Sequence, residues 1–367
     1  MPVEIKFLRV ADLAFYIVSE EYRSSPVLPI APLRALSQAQ NPRAQPQDLA
    51  LALAYADGQL VGYLGALPDL LHFPDAAPCR VAWLSCLWVS PAVRGQGLAK
   101  KLLQSVAEAW EHRVLLTDYA PAARGAFLGS GVLAESAFIE GFRGYLRPDF
   151  AQLLAARGGM WAKTKPLLQV ADAVLRPLNA LRIRWKKPRV PPTRVVEEVS
   201  ALAWDLIRTC QTGEIARRDP ATLQWMLQCQ WVRAAARPDA FAERYHFTSS
   251  ARQFRFEMLE VLGDVGEPVG FLALCLRDGH LRVPHAWYPD AHAGRVARAI
   301  FGYAIRHGAR MVTMFHPRLV QYCQTNPTPF FAGRTMRRSY FLGKNLPEMG
   351  KGAPSGWQDG DGDVGFT

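Results

Sequence analysis

The sequence predicts an α/β (α+β) protein made of two mixed-sheet domains in tandem, the second a degenerate copy of the first. Three observations carry this. The chain has 367 residues, more than one hydrophobic core usually organises. An apolar run at 81–89 is followed by a glycine-bearing turn and a helical pattern ending at Trp110. The order hairpin, strand, helix, strand then recurs in the second half, without the glycine-bearing turn.

The elements follow in order. Ile5–Val10 is a strand candidate, Asp12–Arg23 is helical in pattern, and Pro32–Gln40 is a second helix with proline suited to its first turn. Leu49–Ala56 and Gln59–Leu67 form a hairpin around Asp57-Gly58, a strong two-residue turn signal. Val81–Val89 is a buried strand that Ser90-Pro91 ends, because proline cannot donate to a ladder. Leu98, Leu102, Val106 and Trp110 then stand four apart on one helix face. Arg113–Tyr119 is the next strand and Pro121–Gly129 a short helix. Phe138–Leu146 is expected to close the first sheet.

From Arg147 the character changes. Residues 152–181 are helical in pattern, broken at Pro166 and Pro177. Residues 182–194 (RIRWKKPRVPPTR) contain no acid and read as a proline-stiffened linker. A second unit begins near Val195, with helices at Ala201–Cys210 and Pro220–Trp231. Strands follow at Arg252–Leu262, Pro268–Arg277 and His280–Trp287, then a helix at Ala291–His307 and strands at Arg310–Phe315 and Arg337–Leu342. Tyr322–Thr328 is a short connection. The expected boundaries are 1–150, 151–194 (helical and basic linker), 195–346 and 347–367, the last a Gly/Asp-rich tail read as exposed.

A strand, a glycine turn and a helix make an anion site, since the first helical N–H groups lack internal partners and the helix dipole adds positive charge. Arg94, Lys100 and Lys101 surround the turn. A P-loop is excluded because no G-x-x-x-x-G-K-[ST] occurs. A dinucleotide fingerprint fails because Lys100 stands where the third glycine belongs. Val89-Ser90-Pro91-Ala92-Val93-Arg94-Gly95-Gln96-Gly97-Leu98-Ala99-Lys100-Lys101-Leu102 resembles the acetyl-CoA-binding motif of the GNAT superfamily of N-acyltransferases, V-x-P-x-x-R-G-x-G-[IL]-[GA]-x-x-L. The resemblance implies two GNAT-like units in tandem, with acetyl-CoA or another acyl-CoA bound by the first. It places the pantetheine arm on the backbone of Leu87, Trp88 and Val89. The pyrophosphate falls to the N–H groups of Gly95, Gln96, Gly97, Leu98, Ala99 and Lys100, with Arg94 beside them. The second unit has Tyr288-Pro289-Asp290-Ala291-His292-Ala293-Gly294-Arg295 at that turn and is expected to bind no acyl-CoA.

Acyl transfer to an amine needs a neutral nucleophile, a donor to the developing oxyanion and an acid for the leaving thiolate. By resemblance, the Val89 N–H is the oxyanion donor. The tyrosine that such enzymes often carry after the fifth strand is replaced by Phe127, so Tyr119 and Tyr145 are the candidate acids, though a tyrosine so placed is more often a half-buried packing residue with its OH satisfied. The usual carboxylate base is missing from the central strand, where Cys86 reads as packing rather than as a nucleophile. Glu20 and Glu21 are candidates for holding a cationic amine or members of a solvated face. The domain order resembles that of the Eis-type aminoglycoside acetyltransferases, without their third domain. That likeness implies that the carboxylate of Thr367 reaches the first unit's site.

The expected function is acetyl-CoA-dependent N-acyl transfer to a small-molecule or peptide amine. The alternatives are an acyl-CoA sensor without turnover, or an aminoacyl or peptidyl transferase on an anionic cell-wall or lipid-linked acceptor. Six cysteines without a C-x-x-C pair fit reduced thiols, and no signal peptide or apolar run of bilayer length occurs, so a cytoplasmic location is expected. The net charge of +11 admits contact of the 182–194 segment, with Trp161 and Trp185 nearby, with nucleic acid or an anionic membrane. The second unit is expected to shape the acceptor site or a homo-oligomer interface. Asp359, Asp361 and Asp363 open like an EF-hand loop, but the glutamate at position 12 is missing, so no metal site is expected.

Overall fold

The structure is a computed structural model that describes residues 3–74, 76–117, 119, 123–151, 164–186, 188–347 and 356–366. In the first half the strands are β1 (Glu4–Arg9), β2 (Leu49–Ala56), β3 (Gln59–Leu71), β4 (Cys79–Val89), β5 (Val114–Leu116) and β6 (Leu133–Tyr145). The helices there are α1 (Leu13–Tyr16), α2 (Glu20–Ser24), α3 (Pro32–Ala39), α4 (Leu98–Ala109) and α5 (Arg124–Gly129). The helix α6 (Lys165–Trp185) leads to the edge strand β7 (Thr193–Val196), and α7 (Ala201–Cys210) and α8 (Pro220–Gln228) follow. The short strands β8 (Arg233–Ala234) and β9 (Ser250–Ala251) pair with each other on either side of α9 (Ala240–Arg244). The second half ends with β10 (Phe254–Leu262), β11 (Pro268–Arg277), β12 (His280–Trp287), α10 (Ala293–Arg306), β13 (Met311–Met314), α11 (Pro317–Thr325) and β14 (Ala332–Gly343).

Twelve strands form one sheet in the order β1-β2-β3-β4-β5-β14-β6-β13-β12-β11-β10-β7. Each half contributes an antiparallel meander, and its fourth and fifth strands run parallel: β4 with β5 and β12 with β13. The order is a palindrome, which is the fold-level statement that the second half repeats the first. The two last strands are exchanged. β6 lies between β14 and β13, and β14 takes the place beside β5. The expectation that residues 138–146 close the first sheet is therefore corrected. β14 pairs with β6 along twelve register positions, a ladder that three-residue β5 could not offer.

The motif helix α4 buries Leu98, Leu102, Leu103 and Val106 against Ala52, Leu64, Ala82 and Leu84 of the sheet. The opposite face is shared by both halves. There Trp83, Phe271, Trp287 and Tyr340 pack with Ile207 of α7, Leu223 of α8, and Trp357 and Phe366 from the end of the chain. The reading of residues 347–367 as an exposed tail is corrected by this burial. Trp357, Asp359, Asp361, Val364 and Phe366 are each at most 4 % exposed.

Other differences have local reasons. Residues 12–23 split into α1 and α2, with Ser19 capping α2 through its hydroxyl. α6 runs through Pro177 without breaking. Residues 182–185 of the basic segment form its last turn, and Thr193–Arg194 belong to β7, where Arg194 pairs with the buried Glu260. α11 covers part of the stretch expected as a connection, and proline opens it. Trp161 lies outside the described residues.

Candidate functional site

β4 carries a bulge. Gly65 opposes Ser85 and Tyr63 opposes Trp88, so two residues, Cys86 and Leu87, face the single Leu64. Cys86 adopts φ = 55°, a left-handed conformation uncommon for a residue with a Cβ. β4 pairs with β5 only at Ala82 and Trp83 and then diverges from it. The Ser90 N–H donates to Val61 O at 2.8 Å, so strand alternation turns the Val89 N–H away from β3. The Val89 carbonyl, on that same side, accepts from Arg94 Nε at 3.1 Å.

The turn after β4 is shaped for a close approach. Gly95 and Gly97 have φ of 82° and 78°, and a Cβ added at either would meet open space. Gly97 caps α4, whose first internal bond is Lys101 N–H to Gly97 O at 3.0 Å. The N–H groups of the preceding positions are those a helix leaves unpaired. A cleft of about 290 Å³ opens here, walled by Val89, Arg94, Gly95, Gly97, Leu98, Ala99 and Lys100 on one side and by Gly125, Ala126 and Gly129 of α5 on the other. These open glycines, the helix terminus and the splayed strand fit the pyrophosphate and pantetheine arm of an acyl-CoA. A larger cleft of about 600 Å³, lined by Val3, Glu4, Lys6, Glu21, Tyr55, Asp57 and Gly58, contains no residue of the turn.

Behind the bulge lies Arg34 of α3, which sequence reasoning missed. Arg34 Nη1 donates to Cys86 Sγ at 2.7 Å and Nη2 to Ser85 Oγ, and its guanidinium lies 4.1 Å from the Trp231 ring centre. Asp363 approaches Arg34 to 3.7 Å. Burial opposes the charge of Arg34, but the polar groups around it, with the carboxylate of Asp363, hold its pKa up, so the group stays cationic. Burial pushes the Cys86 thiol up against the opposing pull of Arg34, which fits a neutral thiol and not a nucleophilic thiolate. Tyr245 OH stands 3.4 Å from the same sulfur.

The end of the chain is fixed by a carboxylate on every second residue. Asp359 meets Arg282 at 2.9 Å and Arg338 at 3.0 Å, Asp361 meets Arg218 at 3.3 Å, and Asp363 meets Arg34. Arg218 also donates to both oxygens of buried Asp69, which accepts from Trp83 Nε1 at 2.9 Å as well. Gly362, at φ = 74°, crosses Trp83 where an added Cβ would lie 2.7 Å from the ring. The second unit repeats the β4 bulge: Ala273 opposes His285 and Cys275 opposes Arg282, leaving Val283 and Pro284 opposite Leu274. Here the chain's own end fills the space. Gly360 N–H donates to Pro284 O and the Gln358 side chain accepts from Ala286 N–H, each at 2.8 Å.

The remaining candidates separate. Tyr119 packs on Phe127 and Phe341 at the end of β5 and lines a second cavity of about 530 Å³. Among the described residues, that cavity is lined by Arg124, Arg143, Arg277, Arg282, Arg337 and Arg338 and by no acidic one. Asp359 holds Arg282 and Arg338 and Glu135 holds Arg337, while no ion pair joins Arg124, Arg143 or Arg277 among the described residues. His280 shares Thr313 Oγ1 with Arg143, both at 2.8 Å, and is pushed down to about 3 by burial and by the neighbouring arginines. α5 is the common wall, with Arg124 on this cavity and Gly125 on the other cleft. Tyr145 stands at the far end of β6 against Phe331 and lines neither space. Glu20 is exposed, and Glu21 accepts from Tyr55 OH at 2.5 Å in the cleft by the β2–β3 hairpin. Gln96 is exposed at the crest of the turn, and Thr367 lies outside the described residues.

Residues 14–127 match the family model of the Acetyltransferase (GNAT) family. No curated protein sequence matches the chain. Among solved structures, Saccharomyces cerevisiae N-myristoyltransferase with bound myristoyl-CoA aligns at 11 % identity and a TM-score of 0.53, over 98 % of this chain and 84 % of that one. GCN5-related N-acetyltransferases align at lower scores. The one from Kribbella flavida does so at 12 % identity and 0.49, over 92 % of this chain and 71 % of that one. The one from Anabaena variabilis does so at 11 % and 0.47, over 93 % and 72 %. At these identities the likeness is one of fold.

Proposed function

Because the chain carries a GNAT acetyltransferase domain at residues 14–127, we propose that it transfers an acyl group from acetyl-CoA, or another acyl-CoA, to an amine in the cleft between β4, α4 and α5. The observation that carries this reading is the meeting at one cleft of the β4 bulge, its divergence from β5 and the open Gly95–Gly97 turn before α4. The N–H groups of 95–100, with Arg94 and Lys100, hold the pyrophosphate. The backbone of 87–89 holds the pantetheine arm, and the Val89 N–H donates to the developing oxyanion. The bound thioester supplies the activated acyl group. Tyr119, packed against Phe127 of α5, is the proposed proton donor to the leaving thiol. Where Thr367 is the last residue, its carboxylate is the proposed base, one position beyond the anchored Phe366.

The arginine-lined cavity favours a narrower second reading, an acceptor that carries a carboxylate or phosphate besides its amine. Such a group would complete the charges of Arg143 and Arg277. Thiol release from acetyl-CoA across a panel of amines, neutral and anionic, tests both. Binding of acetyl-CoA without thiol release for any amine would make the chain a sensor and overturn the enzymatic reading. Equal turnover of neutral and anionic amines would overturn the narrower one.

A further inference from the structure

α6 is amphipathic the wrong way round for a helix on a protein surface. It docks through Asp172, Asn179 and Ile183, which stand seven and four residues apart on one side. Asp172 accepts the Phe150 and Ala151 N–H groups at 2.8 and 3.0 Å, and Asn179 Nδ2 donates to Leu146 O at 3.1 Å. The opposite side carries Leu167, Val170, Val174, Leu178, Leu181 and Trp185, spaced three and four apart along the whole helix. These six are between 48 % and 80 % exposed. A continuous apolar stripe of this length is uncommon on a protein surface and marks an interaction site.

Charge decides between partners. Exposed Arg184 and Lys186 stand on either side of Trp185 at the end of the stripe, and Asp172, the helix's one acid, is buried and used. The next residues, to Arg194, add further cations and no acid. A second copy of the chain would bring two such basic flanks together. A lipid surface with anionic headgroups takes the stripe into its acyl boundary and the flanks among its phosphates, and Trp185 suits that interface.

We propose that α6 is an in-plane membrane anchor for anionic lipid surfaces. It lies on the surface and does not span it: among the described residues, no helix is long and apolar enough to cross a bilayer. Flotation with vesicles of phosphatidylcholine, with and without phosphatidylglycerol, tests this on the full chain. Wild type is expected to float with the anionic vesicles, and to do so less at high salt. Val174→Glu combined with Leu178→Glu is expected to lower its partition at least about tenfold while acetyl-CoA binding and circular dichroism stay unchanged. Trp185→Ala, at the most exposed of these positions, is a second variant with a smaller expected loss. Wild type that stays unbound, or a double variant that floats equally well, would overturn the proposal. So would a lipid-free dimer that the double variant dissociates, because the stripe would then be covered by a second copy.

Discussion

Phe366 lies face to face with Trp231, ring centres 4.6 Å apart and planes 9° from parallel. Trp231 in turn stacks under the Arg34 guanidinium that reaches Ser85 and Cys86 at the β4 bulge. The end of the chain is thereby tied to the candidate catalytic strand through one aromatic ring. Phe366→Ala is expected to cost about 3–5 kcal/mol of stability, as for other buried aromatic truncations. Denaturant titration measures this. Deleting Thr367 alone should leave that stability within about 1 kcal/mol and lower kcat more than KM for acetyl-CoA.

Asp69 is a buried carboxylate held by two guanidinium groups. It accepts from Arg218, Arg43 and Trp83 in a site closed to solvent, and despite its burial the two guanidinium groups hold it well below the usual carboxylate range. Asp69→Asn would leave two buried arginines short of a counter-charge. A loss of about 3–5 kcal/mol is expected.

Stability should fall as the solution becomes alkaline. Burial raises Asp361 to about 7, and burial with the nearby Asp361 charge raises Glu214 to about 8. Both groups bind their protons more tightly in the folded chain than in the unfolded one. Folding is therefore favoured most below the unfolded pKa, about 4, and this contribution is lost as pH rises through 7 and 8. The slope of unfolding free energy between pH 5 and 9 checks it. Glu214→Gln, which removes the titrating carboxyl and can still accept from one of its two donors (Trp287 Nε1 or Gln358 Nε2), is expected to flatten that slope.

The turn before α4 offers a binding test. At Gly97, φ is 78°, and any residue with a Cβ pays about 1–2 kcal/mol there while crowding the cleft. Gly97→Val should raise KM for acetyl-CoA by tenfold or more, with the melting temperature lowered by only a few degrees, about what that strain implies. Arg94→Ala should raise KM as well, and more at low salt than at high salt, because its charge is exposed.

Residues 1–151 produced alone are expected to aggregate or stay partly unfolded. β5 would lose β14, and β6 would lose both neighbours. Co-expression with residues 164–367 should recover soluble, acetyl-CoA-binding material, which gel filtration and a binding titration detect.

Much of the fold was legible locally. Asp57-Gly58 marked the β2–β3 hairpin, Pro91 ended β4, and the four-residue spacing from Leu98 described α4. Pro268–Arg277 and His280–Trp287 are strands with the expected bounds. What could not be read depends on partners distant in the chain. Nothing local to β6 says that β14, some two hundred residues later, will stand between it and β5. A Gly/Asp-rich tail has the composition of solvated chain. Its burial rests on Arg34, Arg218, Arg282 and Arg338, four cations scattered over three hundred residues, whose spacing only the folded sheet supplies. The missed role of Arg34 has the same cause, and α3 itself conceals it, because this helix buries Arg34, Ser37 and Gln38 while Leu33 and Leu36 face solvent.

The exchange of β6 and β14 also sets the order in which the protein can be made. β14 and the segment ending at Phe366 leave the ribosome after every other described part, yet they complete the sheet and the buried wall of the half that was made first. The cleft beside α4 therefore waits on that later stretch of chain. A chain cut short before that stretch leaves β5 without β14 and the Trp83 face uncovered.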